Sequence, residues 1–152
     1  MSRFKKIIFL DEGNTMLSPY AEAFMRGRLA LLGANKIQVA SRGSIVLFPE
    51  PVNPKVLMIA GKKGFSLAYH KASEIRESDF SDTTLVLTMD EENKNRLYQK
   101  FPSAKNVFSI KSYLEKTGDL RPPIGGSVEE YERVCAELEE LIEKLAQKEI
   151  GS

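Results

Sequence analysis

Lys6-Ile-Ile-Phe-Leu10, Asp11-Glu-Gly-Asn-Thr-Met-Leu17 and Ser18-Pro19 follow one another without interruption. An apolar run ends, a short polar turn follows, and a helix begins. Lys6–Leu10 is short and rich in isoleucine, which is the pattern of a strand buried on both faces. Ser18 is suited to cap a helix and Pro19 to fill its first position. Gly13 and Asn14 tolerate left-handed backbone angles, so successive N–H groups of the loop can turn inward as a nest. The helix dipole adds partial positive charge at the same place. The loop from Asp11 to Pro19 is therefore shaped to hold an anion, although an ordinary strand-to-helix turn would carry the same pattern.

The rest of the chain alternates in the same way. Ala21, Phe24, Met25, Leu29 and Leu32 share one helical face, and Gly33 ends that helix. Ile37–Ala40, Thr84–Met89 and Val107–Ile110 read as three further strands. A Pro-rich loop (Pro49, Pro51, Pro54) precedes a helix over about Leu57–Lys62. Glu91–Lys100 reads as a helix stopped by Pro102, with Asp90 as its cap. Ser127-Val-Glu-Glu130 is a capping box. It opens a last helix whose stripe runs from Val128 through Tyr131, Cys135, Leu138, Leu141 and Ile142 to Leu145. Gly151-Ser152 reads as a loose end. Strands separated by helices predict a three-layer α/β fold, a four-stranded parallel sheet flanked by helices, in a single domain over residues 1–152. Such sheets bind ligands at the carboxyl ends of their strands, where the Asp11 loop lies.

Bulk properties narrow the function classes. The 152 residues are 42% hydrophobic and 28% charged, with a formal net charge of +1. That balance fits a globular chain and gives no global attraction to nucleic acid or to an anionic membrane. A chain of this length buries about two-thirds of its unfolded surface, so it folds without disulfides or metal. A single cysteine, Cys135, excludes an internal disulfide and a multi-cysteine metal cluster. The expected setting is cytoplasmic. No signal peptide and no run of about 20 apolar residues is present.

Gly13-Asn14, Ser18-Pro19 and the following Tyr20-Ala-Glu22 resemble the phosphate loop of the low-molecular-weight protein tyrosine phosphatase family. That loop reads Cys-Xaa-Gly-Asn-Xaa-Cys-Arg-Ser-Pro after a strand. The similarity continues in order. Ser41-Arg-Gly-Ser44 is similar to the family's Ser-Ala-Gly-Thr, and Asn53-Pro54 to its Asp-Pro. Gly64-Phe-Ser-Leu67 with His70-Lys-Ala-Ser73 matches a further stretch, as do Asp79-Phe80 and Leu85–Asp90 with Asn93. Arg121-Pro-Pro-Ile-Gly-Gly126 lies where the family has Pro-Asp-Pro-Tyr-Gly-Gly. The resemblance implies the family's fold and a ligand loop made of Asp11, Glu12, Gly13, Asn14, Thr15, Met16, Leu17 and Ser18. It implies that His70 supports this loop through Asn14 and that Phe48 forms an aromatic pocket wall. A core or surface role serves Phe48 equally.

The resemblance also implies what is altered. The family uses a thiolate nucleophile, an arginine on the phosphoryl oxygens and an aspartic acid that protonates the leaving group. Asp11, Leu17 and Pro122 stand at these positions, and Met16 replaces the second loop cysteine. Leucine makes no bidentate contact to phosphate. A carboxylate at position 11 repels phosphate by roughly 1 kcal/mol per charge pair at about 4 Å in water, and about 4 at an effective dielectric of 20. Proline donates no proton, which removes about 10²–10⁴-fold of general-acid help. The first expectation is a phosphatase-like binding or regulatory module without turnover, its nest filled by the Asp11 carboxylate.

Two other readings stay open. Asp11 could act as a carboxylate nucleophile with Mg²⁺, in a phosphatase of altered chemistry. The position two residues on is Gly13, however, and Glu12 alone is a weak metal signal, so neither a metal nor another cofactor is expected. The apolar loop around Val46–Val52 could instead be a contact surface. The expected partners are an anionic small ligand or a protein, with the chain a monomer or a homodimer. Asp79 and Asp82 read as turn residues, Lys62, Lys63 and Lys94 as solvated charges, and Cys135 as a core thiol.

Overall fold

The computed structural model describes residues 2–34 and 36–150. The terminal Gly151-Ser152 lies outside the described residues. Four strands, β1 (Lys6–Asp11), β2 (Gln38–Gly43), β3 (Thr84–Thr88) and β4 (Val107–Ser109), form one parallel sheet in the order β2-β1-β3-β4. Among the described residues five α-helices accompany them: α1 (Leu17–Leu31), α2 (Pro54–Lys62), α3 (Glu91–Lys100), α4 (Ile110–Tyr113) and α5 (Val128–Ile150).

Ile7, Ile8, Phe9 and Leu10 are all fully buried because β1 is an inner strand covered on both faces. Ile7 and Phe9, with Leu85 and Leu87 of β3, face a large core built with α1, α2 and α5. Ile8, Leu10 and Val86 face a smaller core with Leu97 of α3, Ile75 and Phe80. The three-layer arrangement therefore follows from the two-residue alternation of side chains along each strand. No described helix is long and apolar enough to cross a membrane.

The strands differ from expectation at their polar ends. β2 continues through Ser41, Arg42 and Gly43, where no apolar pattern marks it, because its register carries Gly43 opposite Asp11. At the other edge β4 stops at Ser109, whose side chain accepts from the Ser112 N–H and turns Ile110 into the start of the unexpected α4. α2 begins earlier than expected, at Pro54, because Asn53 Oδ1 accepts the N–H of Lys55 and Pro54 fills the first helical position. Gly33 does end α1. Its φ of 70° completes a Schellman turn, with the Ala34 N–H on Leu29 O at 2.8 Å and the Gly33 N–H on Ala30 O at 3.2 Å. The Ser127–Glu130 capping box forms as read, with the Ser127 N–H 3.0 Å from Glu130 Oε1 and the Glu130 N–H 3.2 Å from Ser127 Oγ.

The chain leaves β1 toward β2 on one side and later fills β3 and β4 on the other. The carboxyl ends of β1 and β3 therefore flank the switch point, the place where open α/β sheets leave a crevice.

Candidate functional site

β1 delivers Asp11 to that crevice, and its carboxylate turns back into the loop that follows. Oδ1 accepts the Asn14 N–H, and Oδ2 accepts those of Ser18 at 2.9 Å and Met16 at 3.3 Å. Asp11 thereby caps α1 from across the loop. The sequence pattern makes Ser18 the cap and Pro19 the first helical residue, but the helix starts two residues before Pro19, at Leu17, and Ser18 lies inside its first turn. Ser18 Oγ is instead 2.9 Å from Asn14 Nδ2, which donates to it. Asp11 is only 7% exposed. Burial pushes its carboxyl pKa up, while the N–H groups of Ser18, Asn14 and Met16 pull it down. The net direction is upward.

Asn14 holds the loop in shape. Its φ is 57°, the left-handed region that asparagine accepts better than most residues. It is fully buried, and each of its polar groups has a partner. Its Oδ1 accepts the Ser73 N–H at 2.9 Å, and its carbonyl oxygen lies 2.7 Å from His70 Nε2. A carbonyl only accepts, so Nε2 carries the proton. The end of β2 adds two more bonds, Ser44 N–H to Asp11 O and Ile45 N–H to Glu12 O. Thr15 O accepts the Asn53 N–H, tying the loop to α2.

Gly43 packs directly beneath this turn. A Cβ there would lie 2.9 Å from Asn14 N and from Gly13 C, and 2.7 Å from Val46 Cγ2. Gly43, Ser44 and Ser73 fall inside segments matched by resemblance, yet no pattern in the sequence marks their contacts with the loop.

A cleft of about 290 Å³ opens beside Asp11. Glu12, Gly13 and Met16 form one wall, Met89, Asp90, Glu92 and Asn93 another, and Leu120, Arg121, Pro122 and Ile124 the third. The Leu120 N–H donates to Met89 O and fixes that third segment to the end of β3. Asp90 Oδ1 caps α3 through the Asn93 N–H at 2.7 Å, as the sequence predicted. Pro122 lines the cleft. Leu17 does not. Its side chain is fully buried in the large core, and its place is one of packing. Phe48 is 67% exposed and lies outside the cleft lining, so it stands on the surface and forms no wall of this cleft. Cys135 is buried on α5, where burial and nearby Glu139 push its thiol up to about 12. Lys63 and Lys94, read as solvated, pair with Glu139 at 3.6 Å and with Glu91 at 2.8 Å.

Charge around the cleft is shared unevenly. Arg96 of α3 lies 3.2 Å from both Glu12 and Glu92, and Arg121 lies 3.1 Å from Asp119 and 3.9 Å from Asp90. Four carboxylates thus share two guanidinium groups, before Asp11 is counted. Among the described residues, no group of three or more His, Cys, Asp or Glu is placed to hold a metal ion.

The whole arrangement has counterparts. A family model described as low molecular weight phosphotyrosine protein phosphatase matches residues 6–151. A protein-arginine-phosphatase of Geobacillus stearothermophilus is 32% identical over 145 residues, covering 94% of this chain and 95% of the relative. The low molecular weight protein-tyrosine-phosphatase PtpB of Staphylococcus epidermidis is 27% identical over 140 residues, covering 92% and 96%. Among solved structures, a low molecular weight protein tyrosine phosphatase from T. tengcongensis superposes with a TM-score of 0.88 at 30% identity. That match covers 94% of this chain and 98% of the other.

Proposed function

Because this chain belongs to the low molecular weight phosphotyrosine protein phosphatase family, and because its loop already holds a carboxylate, we propose that it is a binding or regulatory module that does not turn over phosphate esters. The observation that carries the reading is the seating of Asp11. Its two oxygens take the N–H groups of Asn14, Met16 and Ser18. Those donors, at the start of α1, are the ones a bound anion would use. A phosphate entering the loop would have to displace the carboxylate, which is fixed to the same chain. It would also find no arginine at position 17.

The relatives named as phosphatases set the opposite expectation for the family as a whole. By resemblance to the family loop, the difference falls at Asp11, Leu17 and Pro122. Leu17 supplies core packing where a phosphate-binding arginine would stand, and Pro122 offers no acid to the cleft. Both departures support loss of the thiolate mechanism. The same reading places the protein in the cytoplasm, where a single buried thiol needs no oxidised partner.

Two measurements test it on the intact chain. Hydrolysis of p-nitrophenyl phosphate, with Mg²⁺ and with a chelator, is expected to match that of Asp11→Ala. Calorimetric titration with inorganic phosphate and with vanadate is expected to show no saturable binding. Hydrolysis that disappears in Asp11→Ala would establish Asp11 as a nucleophile and overturn the reading. Tight phosphate or vanadate binding would show that the nest is open to an outside anion.

A further inference from the structure

The cleft beside Asp11 combines an apolar floor with a surplus of negative charge. Met16, Met89 and Leu120 form its apolar part. Ile124 stands at its rim, 79% exposed. On the side of Glu12, the Ile45 N–H bonds to Glu12 O, and Ile45 is 50% exposed. Exposed apolar side chains gathered around one cleft mark a contact surface better than the same residues scattered singly.

Charge decides what such a surface accepts. Glu12 and Glu92 are largely exposed and share Arg96, while Asp90 and Asp119 share Arg121. Two carboxylates on each guanidinium leave a deficit of positive charge beside the cleft, whose lining includes Glu12, Asp90, Glu92 and Arg121. An anionic group would meet this surplus as well as the seated Asp11. A guanidinium or ammonium would complete it. Matching of this kind chooses partners more than it adds affinity.

We propose that the cleft docks a segment of a partner protein in which a basic side chain is flanked by apolar residues. The basic group meets Glu12 and Glu92, and the flanking residues lie on Ile124 and Met16. This deepens the binding-module reading and rests on it. It reverses the sign of the ligand that a phosphate loop would suggest.

The test uses the full chain and three fluorescein-labelled peptides, acetyl-Ala-Leu-Arg-Leu-Ala-amide and its versions with glutamine or glutamate replacing arginine. Binding is followed by anisotropy. The arginine peptide is expected to bind saturably, and the glutamine peptide at least about tenfold more weakly. The preference is expected to shrink with added salt and in the double variant Glu12→Gln/Glu92→Gln. Both glutamates are on the surface, and a thermal melt confirms that the variant is folded. Equal binding of the arginine and glutamine peptides, tighter binding of the glutamate peptide, or no saturation of the arginine peptide by about 1 mM would each overturn the proposal. Phosphate-ester hydrolysis measured on the same preparation reports separately on whether the module reading itself fails.

Discussion

His70 Nε2 lies 2.7 Å from the carbonyl oxygen of Asn14, 56 residues away in sequence. The bond joins the segment before Ser73 to the turn that follows β1. Asn14 Oδ1 takes the Ser73 N–H from the same segment, so two bonds brace one residue from one side. The turn is therefore held by tertiary contacts and does not depend on the local preference of Gly13-Asn14 alone.

Replacing His70 by alanine leaves the carbonyl of a fully buried residue short of its donor. A loss of about 1–3 kcal/mol is expected, because an unmatched buried acceptor loses more than one average hydrogen bond. Urea denaturation of the variant should show a lower midpoint at unchanged slope. Hydrogen exchange should quicken at the Asn14 and Ser18 amides before it does in α5. An unchanged midpoint would mean that water replaces the imidazole without loss.

Asp11 makes stability depend on pH with a definite sign. Its folded pKa is raised by burial against the opposing pull of the loop N–H groups. A carboxyl raised in this way binds its proton more tightly in the folded chain. The folded chain is thus favoured at low pH, and this contribution is lost as pH rises from the usual carboxylate range through the raised value. In Asp11→Asn that dependence disappears. Asparagine also sets an N–H₂ group against N–H donors, which weakens the loop at every pH. Denaturation of both proteins from about pH 4 to pH 8 should show the native chain's advantage shrinking as pH increases. An advantage that grows with pH would mean that the N–H groups outweigh burial.

Gly43→Ala is expected to disturb the loop from below. The added Cβ would fall 2.9 Å from backbone atoms of Gly13 and Asn14, which are fixed by the bonds already described. Such contacts require the backbone to shift, at roughly 1–3 kcal/mol. The same change at Gly61, where a Cβ meets nothing within 4 Å, is the control. It should be neutral or stabilising within about 1 kcal/mol, since it lies inside α2. Equal effects at both positions would remove Gly43 from the support of the loop.

What could be read from the sequence follows a physical line. The isoleucine-rich β1 is legible because burial on both faces leaves an unbroken apolar run. The loop is legible because Gly and Asn mark a left-handed turn before a helix. The far end of β2 is not, since an edge strand needs no apolar alternation to be held by its register with β1. The start of α1 is not legible, because its cap comes from Asp11, seven residues before Ser18, and capping patterns look only at neighbours. The shortage of positive charge around the cleft was also hidden. Glu92 and Arg96 are spaced as a helical pair, but the Glu12–Arg96 contact spans 84 residues and has no local signature.

If the backbone of the loop is intact and only its side chains disable turnover, chemistry should be recoverable. The triple variant Asp11→Cys, Leu17→Arg, Pro122→Asp puts a thiol in the nest, a guanidinium at the helix start and an acid on the cleft wall. A thiol at a helix N-terminus is favoured as thiolate, and it no longer fills the donors as a carboxylate does. The arginine must leave the core that Leu17 occupies and reach the cleft. The vacated volume is expected to lower stability by about 2–5 kcal/mol, as for other large-to-small changes in a core. Hydrolysis of p-nitrophenyl phosphate should then rise above that of the native chain. Returning Pro122 alone should lower it about 10²–10⁴-fold, the usual worth of a general acid; a smaller loss is expected if this substrate's easily departing phenolate needs little protonation. A folded triple variant that binds vanadate yet does not hydrolyse the ester would place the impairment in the geometry of the loop, beyond the three substituted side chains.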